Sequence, residues 1–453
     1  MQNNGGHIVV VGAGVAGLTL GYLLSRAGKS VLIVEQEPVV GGLARSYHYD
    51  DFHFDIGPHR FHTEHPEVLA FIREVLGEDL LTMPRKSGVY MFGKYFDWPL
   101  SSSSVFKLPP AIMARAFFDL RSRREVTDPD SFSQYIISQY GRTLYDCFFK
   151  FYTEKFIRIP CEEVHVDWAL AGINRAVIDK RVKANTLTDL IKGVLLPKQV
   201  KTVFLYPHKP GIDDFSNRLA ALIRSHGSRI LTNTQVRTVT WRGREIEEVV
   251  LSDGEIVPTE RLIWSGELHS LARMLQVGPF PLRYLAMVCY NVAVRGKLNR
   301  DYQWTYYGDR KTTINRTSAP HLFNSRNMPQ GWSGLNVEIT CFEGDETWTR
   351  PESWLPVVRQ DLVKSRIINR DEDIGEIWIE RVRNTYPIYD LNYKRNLASA
   401  MAELGVYNNL LLLGRCGTFW YNNMDHSIRM AMDYADHLIS GRELAGKDKY
   451  FII

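Results

Sequence analysis

The chain has 453 residues, 45% of them apolar and 23% charged, and a formal net charge of +4. That length exceeds what a single hydrophobic core serves, so more than one domain is expected, and so small a charge argues against nucleic acid as a partner while suiting an anionic small molecule. Five scattered cysteines (Cys147, Cys161, Cys289, Cys341, Cys416) argue against a disulfide framework or a zinc site and favour a reducing, cytoplasmic setting. No stretch approaches the roughly 18 apolar residues of a spanning helix, and the N-terminus lacks a secretory pattern, so no integral membrane segment is expected.

Residues 7 to 35, HIVVVGAGVAGLTLGYLLSRAGKSVLIVE, are the most legible stretch. The apolar, β-branched run ending at Val11 predicts a buried parallel strand. Gly12, Gly14 and Gly17 follow as G-x-G-x-x-G and lead into leucines at helical spacing; Gly28 ends that helix, and a second apolar run closes on Glu35. Gly12 permits a tight turn, Gly14 lets the backbone approach a pyrophosphate, and Gly17 lets the helix pack close to the sheet. The helix N-terminus offers unpaired N–H groups to phosphate. Glu35, about 20 residues on, is placed to accept ribose hydroxyls. Strand, turn, helix, strand and terminal acid in this order indicate dinucleotide binding. In the following VVGGLARS, Gly42 suggests a second close backbone approach to phosphate, with Arg45 as a nearby cation.

FDIGPHRFHT, residues 54 to 63, places His59 and His62 three apart around a bend. Gly57-Pro58 forbids a continuous helix there, and no companion ligand cluster appears, so a metal site is not expected. Beyond it, residues 64 to 205 read mostly as helices from their three-and-four spacing, with Ser131 suited to a helix start. The RSRRE run at 121–125 reads as a solvated helix end. Residues 201–266 change to a turn, a helix and a strand meander. Residues 280–385 alternate strands rich in Tyr, Val and Thr, as in an antiparallel sheet.

Several of these stretches resemble known families. The Gly-Gly continuation after the second strand resembles that of FAD-binding proteins of the amine oxidase and glutathione reductase type. GPHRFHT is similar to the G-P-H-x-F-H-T segment of UDP-galactopyranose mutases. Further likenesses follow in order: YMFGKYFDWPL (90–100), YGRTLYDCFFKFYTEK (140–155), TTINRTSAPH (312–321) and LLLGRCGTFWYNNMDHSIRMA (411–431). Together they span most of the chain. The resemblance implies an α/β fold: a Rossmann-like FAD-binding domain with a helical insertion and an antiparallel-sheet substrate domain. The corresponding boundaries are 1–75, 206–266 and 396–453 for the FAD-binding domain, 76–205 for the helical part and 267–395 for the sheet domain.

The resemblance also implies roles. His59 would pack against the isoalloxazine, Val236 would meet the adenine, and Gly414, Arg415, Met424 and Asp425 would belong to the closing flavin segment. Arg316 and Tyr421 would hold the diphosphate of a substrate, making His59, Arg316 and Tyr421 the catalytic candidates. The implied reaction isomerises a nucleotide-linked sugar through an adduct at N5 of reduced flavin, which calls for a reductant, NAD(P)H or a reductase. A homodimer is possible. Ile157 stands where the mutases carry tryptophan and Arg158 where they carry glycine, and Arg175 aligns with the mobile-loop arginine only after a shift; these departures touch the sugar-nucleotide side. In the closing segment Asn423 replaces an aspartate. The alternative is an FAD-dependent oxidoreductase of the amine oxidase and protoporphyrinogen oxidase type, which removes hydride from a small molecule. A flavoprotein kept for binding alone would leave the substrate-side motifs idle.

Overall fold

The computed structural model describes residues 6–77, 80–98, 109–122, 130–176, 203–442 and 444. The expected helical character of 177–202, most of the RSRRE run and the last residues of the chain lie outside them.

Two seven-stranded sheets organise the molecule. The first runs, in spatial order, Val236–Arg242, Glu245–Leu251, Ile256–Trp264, His7–Val11, Val31–Val34 and Arg229–Leu231, with Leu410–Leu412 also paired to Ile256–Trp264. His7–Val11 lies parallel to both Val31–Val34 and the later part of Ile256–Trp264. Val31–Val34 is buried along its whole length, as a central parallel strand covered on both faces must be. The helix Val15–Arg26 is likewise buried nearly all round, because Met424–Ser440 and Asp214–Ser225 pack against it. The meander expected over 236–264 is an antiparallel extension of the same sheet.

The second sheet has the order Ile374–Pro387, Tyr284–Arg295, Trp332–Cys341, Arg316–Ser318, Trp304–Tyr307, Ser87–Met91, Lys94–Asp97. All its ladders are antiparallel except Trp304–Tyr307 with Ser87–Met91. Two of its strands thus come from the stretch read as mostly helical. A third strand there, Leu80–Pro84, pairs with Val203–Pro207 outside both sheets. Alternation over 80–97 is short, and its partners lie far along the chain, so local spacing alone could not place it. The sheet's register sets Arg316 directly opposite Glu338 on one side and Tyr306 on the other.

The helical part is broken where the sequence carries Gly141. Phe132–Tyr140 starts at Ser131, whose Oγ accepts from the Gln134 N–H (3.3 Å), and ends at Gly141 with φ +83°. A Cβ at Gly141 would come within 2.7 Å of the Asp119 side chain. Lys150–Ile157 then ends on Arg158 at φ +63°, a left-handed position that glycine occupies without strain, so the arginine there is conformationally costly.

Candidate active site

The cavity beside the first sheet, about 510 Å³, has Gly12, Gly14, Gly17, Gly41 and Gly42 in its wall. Gly12 has φ +102°, and a Cβ on it would meet Ser265 Oγ at 2.2 Å; one on Gly17 would meet the Gly12 carbonyl oxygen at 2.1 Å. Gly14 differs: its nearest neighbour would be Gly42 Cα, at 4.0 Å. Packing therefore demands glycine at 12 and 17, whereas at 14 only the open cavity does. Gly14 also caps the helix Val15–Arg26 with no side-chain partner, leaving first-turn N–H groups for an anion. The Gly41 N–H donates to the Ala13 carbonyl (2.8 Å), which holds the second glycine pair against the first.

Glu35 is buried, and its two carboxylate oxygens accept from the N–H groups of Ala13 (2.7 Å) and Glu37 (2.9 Å). Burial raises its pKa despite those bonds. Arg45 donates to Glu37 (3.1 Å) and to the Tyr47 hydroxyl (3.1 Å), and its Nε is buried without a partner. Val236 lines the same cavity, as do Gly414 and Arg415, which follow the strand Leu410–Leu412, and Met424, the first residue of the last helix. Two further nitrogens at the cavity wall, His59 Nδ1 and Asn422 Nδ2, are also buried without partners. Unpaired buried polar atoms are costly, so three of them around one glycine-cradled cavity fit a large polar ligand with phosphates. A dinucleotide meets that description.

A second, smaller pocket of about 180 Å³ adjoins the first. Leu43, His59, Arg415, Asn423 and Met424 line both. The guanidinium groups of Arg60, Arg85 and Arg316 join Arg415 in the inner wall, with Tyr421, Tyr386 and Trp304. Arg316 donates from Nε and Nη2 to the two carboxylate oxygens of Glu338, each at 2.7 Å, and from Nη2 to the Tyr386 hydroxyl at 3.1 Å. Glu338 is fully buried. Burial works against the charge on Arg316, but Glu338 outweighs it and holds the arginine pKa well above its usual value. Lys155, on the helix Lys150–Ile157, donates its ammonium to the carbonyls of Tyr307, Thr312 and Ile314 and so braces the segment leading into Arg316. Burial pushes its pKa down to about 7.

Arg415 donates to the carbonyls of Thr385 (2.8 Å) and Asn422 and lies over the rings of Tyr386 and Tyr421, 5.5 and 5.4 Å from their centroids. Tyr421 stacks on Trp168 at 5.3 Å. Beside these charges His59 is held neutral: burial, then Arg415, Arg60 and Arg316, push its pKa down to about 3.

Gly12, Gly14, Gly17, Glu35, Gly42, Arg45, Val236, Gly414, Arg415 and Met424 therefore gather on the outer cavity, and Arg316 and Tyr421 on the inner pocket. His59 lies at their junction. Asp425, expected among the cofactor residues, lines only the inner pocket; as the second residue of its helix it turns away from the outer cavity while Met424 faces both. Ile157 and Arg158 line neither, and the Arg175 side chain is outside the described residues. Glu338, Tyr386, Arg60, Arg85 and Asn422 were not foreseen. Arg60 sat inside a quoted motif, but only the sheet register could have paired Glu338 with Arg316. Among the described residues no three His, Cys, Asp or Glu side chains group as for a metal, and no helix is long and apolar enough to cross a membrane.

The chain is 42% identical over 74 residues to an L-amino acid oxidase, Cdc18, of Crotalus durissus cumanensis, covering 16% of this chain and 15% of the oxidase. It is 26% identical over 161 residues to a probable UDP-galactopyranose mutase of Klebsiella pneumoniae, covering 34% of this chain and 41% of that one. In fold it is similar to a reduced UDP-galactopyranose mutase over 98% of this chain and 97% of the other, with a TM-score of 0.84 at 19% identity. The family described as flavin containing amine oxidoreductase matches residues 15–288, more than half of the chain. This chain therefore belongs to the flavin-containing amine oxidoreductase family, and FAD is its cofactor.

Proposed function

We propose that the protein is an FAD-dependent oxidoreductase that acts on a small anionic molecule held in the inner pocket. The observation that carries this reading is the shared wall. A dinucleotide held by Gly14 and Glu35 at one end of the outer cavity would have His59, Arg415 and Met424 at the other, and these residues also line the arginine-rich pocket. When bound, FAD supplies two-electron chemistry, as a hydride acceptor when oxidised or a nucleophile when reduced. Gly12, Gly14, Gly17, Gly42 and Arg45 would hold its phosphates, Glu35 its ribose, and Val236 its adenine end. His59, kept neutral, would offer the flavin a hydrogen-bonding edge without adding charge. Arg316, fixed by Glu338, and Arg415, fixed by two carbonyls, orient the substrate without having to reorganise. The aromatic walls at Trp304, Tyr386 and Tyr421 restrict water. The family match and the oxidase relatives support oxidation as the outcome.

A second reading, isomerisation of a nucleotide-linked sugar, has its own support in the basic inner wall around Arg316 and Tyr421 and in the full-length likeness to a reduced mutase. It requires a departing diphosphate to be held by cations, and it calls for a reductant such as NAD(P)H or a reductase. In either reading the dinucleotide unit would comprise 1–75, 206–266 and 396–453, and 76–205 with 267–395 would supply the rest of a substrate pocket that His59, Arg60, Arg415 and Tyr421 also line. Five unpaired cysteines suit a cytoplasmic setting, and a homodimer fits either chemistry. The discriminating experiment purifies the FAD-loaded protein and compares oxygen consumption under air with turnover of UDP-sugars after dithionite reduction. Net oxidation of an anionic substrate is the expected result. Turnover confined to the reduced enzyme, with no net oxidation, would replace it with isomerisation.

A further inference from the structure

One guanidinium of the inner pocket, that of Arg60, makes no ion pair among the described residues, although the Asp425 carboxylate lines the same pocket. Arg316 is matched by Glu338, and Arg415 is engaged with two carbonyls. Arg60 instead lies over two adjoining aromatic rings, 4.9 Å from the Phe204 ring centroid and 4.8 Å from that of Trp304, the two centroids being 5.8 Å apart. Its Nη1 donates to the Pro58 carbonyl at 2.9 Å, and its Nε is buried without a hydrogen-bond partner. No carboxylate among the described residues pairs with it. Arg85, 5.4 Å from the same Trp304 ring, adds a second positive charge to that side of the pocket. Burial, with Arg85 and Arg316 nearby, pulls the Arg60 pKa down to about 10, so the cation is held against its surroundings. With Nη1 engaged by the Pro58 carbonyl, the partnerless Nε is left as a donor for a ligand, and a guanidinium takes a carboxylate or phosphate by two parallel bonds.

We propose that Arg60 is a specificity-determining residue of the inner pocket and that it takes an oxyanion of the substrate, a carboxylate or a phosphate. The inference rests on the reading of that pocket as the substrate site and narrows the substrate to molecules carrying such a group near the reacting end. Neutral sugars and amines without an acidic group are then poor ligands.

The test uses the FAD-loaded protein and follows binding through the perturbation of flavin absorbance, which needs no turnover. The probes are pyrophosphate, UDP, UDP-galactose and UDP-galacturonate. Wild type is expected to bind at least one oxyanion probe, and Arg60→Met, which keeps the length and the contact with the Phe204 and Trp304 rings, is expected to weaken that probe at least tenfold. Arg60→Lys should recover part of the loss. Weakening of pyrophosphate and UDP identifies a phosphate as the group held; weakening confined to UDP-galacturonate identifies a carboxylate on the sugar. Either outcome supports the proposal. If Arg60→Met retains wild-type flavin content and binds every probe within twofold of wild type, the proposal is overturned, and it is equally overturned if no probe perturbs the wild-type spectrum. Should Arg60→Met lose its flavin, Arg60→Gln carries the same comparison. Binding of pyrophosphate that depends on Arg60, without binding of either UDP-sugar, would leave this proposal standing while removing the nucleotide-sugar reading.

Discussion

The outer cavity and the inner pocket meet at His59, yet they are made of different material. One end of the outer one is a backbone device drawn from residues 12 to 45: closely spaced glycines, a helix N-terminus and a carboxylate held by main-chain N–H groups. The inner one is a side-chain device, assembled from Arg60, Arg85, Arg316, Tyr386 and Arg415 on elements far apart in the chain. A backbone device depends on what is missing, namely Cβ atoms, and tolerates variation in the neighbours. A side-chain device depends on register and on partners such as Glu338, and it fails when one partner is lost. The first suits a cofactor shared by many enzymes and the second a particular substrate.

Four measurements would sharpen or break that contrast. The largest effect is expected from Glu338→Gln. Leaving Arg316 buried without its carboxylate should cost about 3–5 kcal/mol in a denaturant titration, with the flavin content of the folded fraction unchanged; a variant as stable as wild type would show that the pair is not what fixes the inner wall. Next comes a pair of glycine substitutions. Gly17→Ala drives a Cβ to 2.1 Å from the Gly12 oxygen and should cost about 3 kcal/mol. Gly14→Ala meets nothing closer than 4.0 Å, so stability should stay within about 0.5 kcal/mol while FAD affinity drops at least tenfold. Equal stability losses in both would end the claim that Gly14 is reserved for the ligand.

The third measurement concerns pH. Unfolded, His59 takes up a proton as pH falls through about 6.5; folded, burial beside three arginines delays this until about 3. The folded pKa is the lower, so this side chain costs stability as pH falls through that window, by about 2 kcal/mol near pH 5. In His59→Gln the loss of stability between about pH 7.5 and pH 5, read from urea midpoints, should shrink by that amount. An unchanged acid dependence would mean that His59 is better solvated than the junction of the two cavities implies. The smallest effect is Tyr386→Phe, which removes the hydroxyl accepting from Arg316 at 3.1 Å. With Glu338 still in place, about 1 kcal/mol of stability should be lost, and ligand-induced flavin perturbation should weaken without disappearing.

The legibility of the two cavities follows the same division. Gly12, Gly14, Gly17 and Glu35 could be read because strand, turn, helix and strand are contiguous and each glycine answers a local steric demand. Val236, Gly414 and Met424 came by resemblance and lie on the same cavity. Asp425, next to Met424 on the same helix, lines the inner pocket instead, since neighbouring helical residues point about 100° apart. Arg60 was visible only as a letter between two histidines. Nothing near Glu338 in the chain marks it as a partner of Arg316; that pairing appears only once Arg316–Ser318 lies beside Trp332–Cys341 in register.

The amino-acid sequence by itself determined the dinucleotide cradle, because every requirement of that cradle is met within a few residues of chain through missing side chains and fixed backbone turns. The tertiary structure decided which cations reach the inner pocket and which of them is already neutralised. Those are properties of distances between strands and helices that the chain brings together only when the second sheet closes, and a guanidinium's charge acts according to what stands within a few ångströms of it rather than what precedes it in sequence.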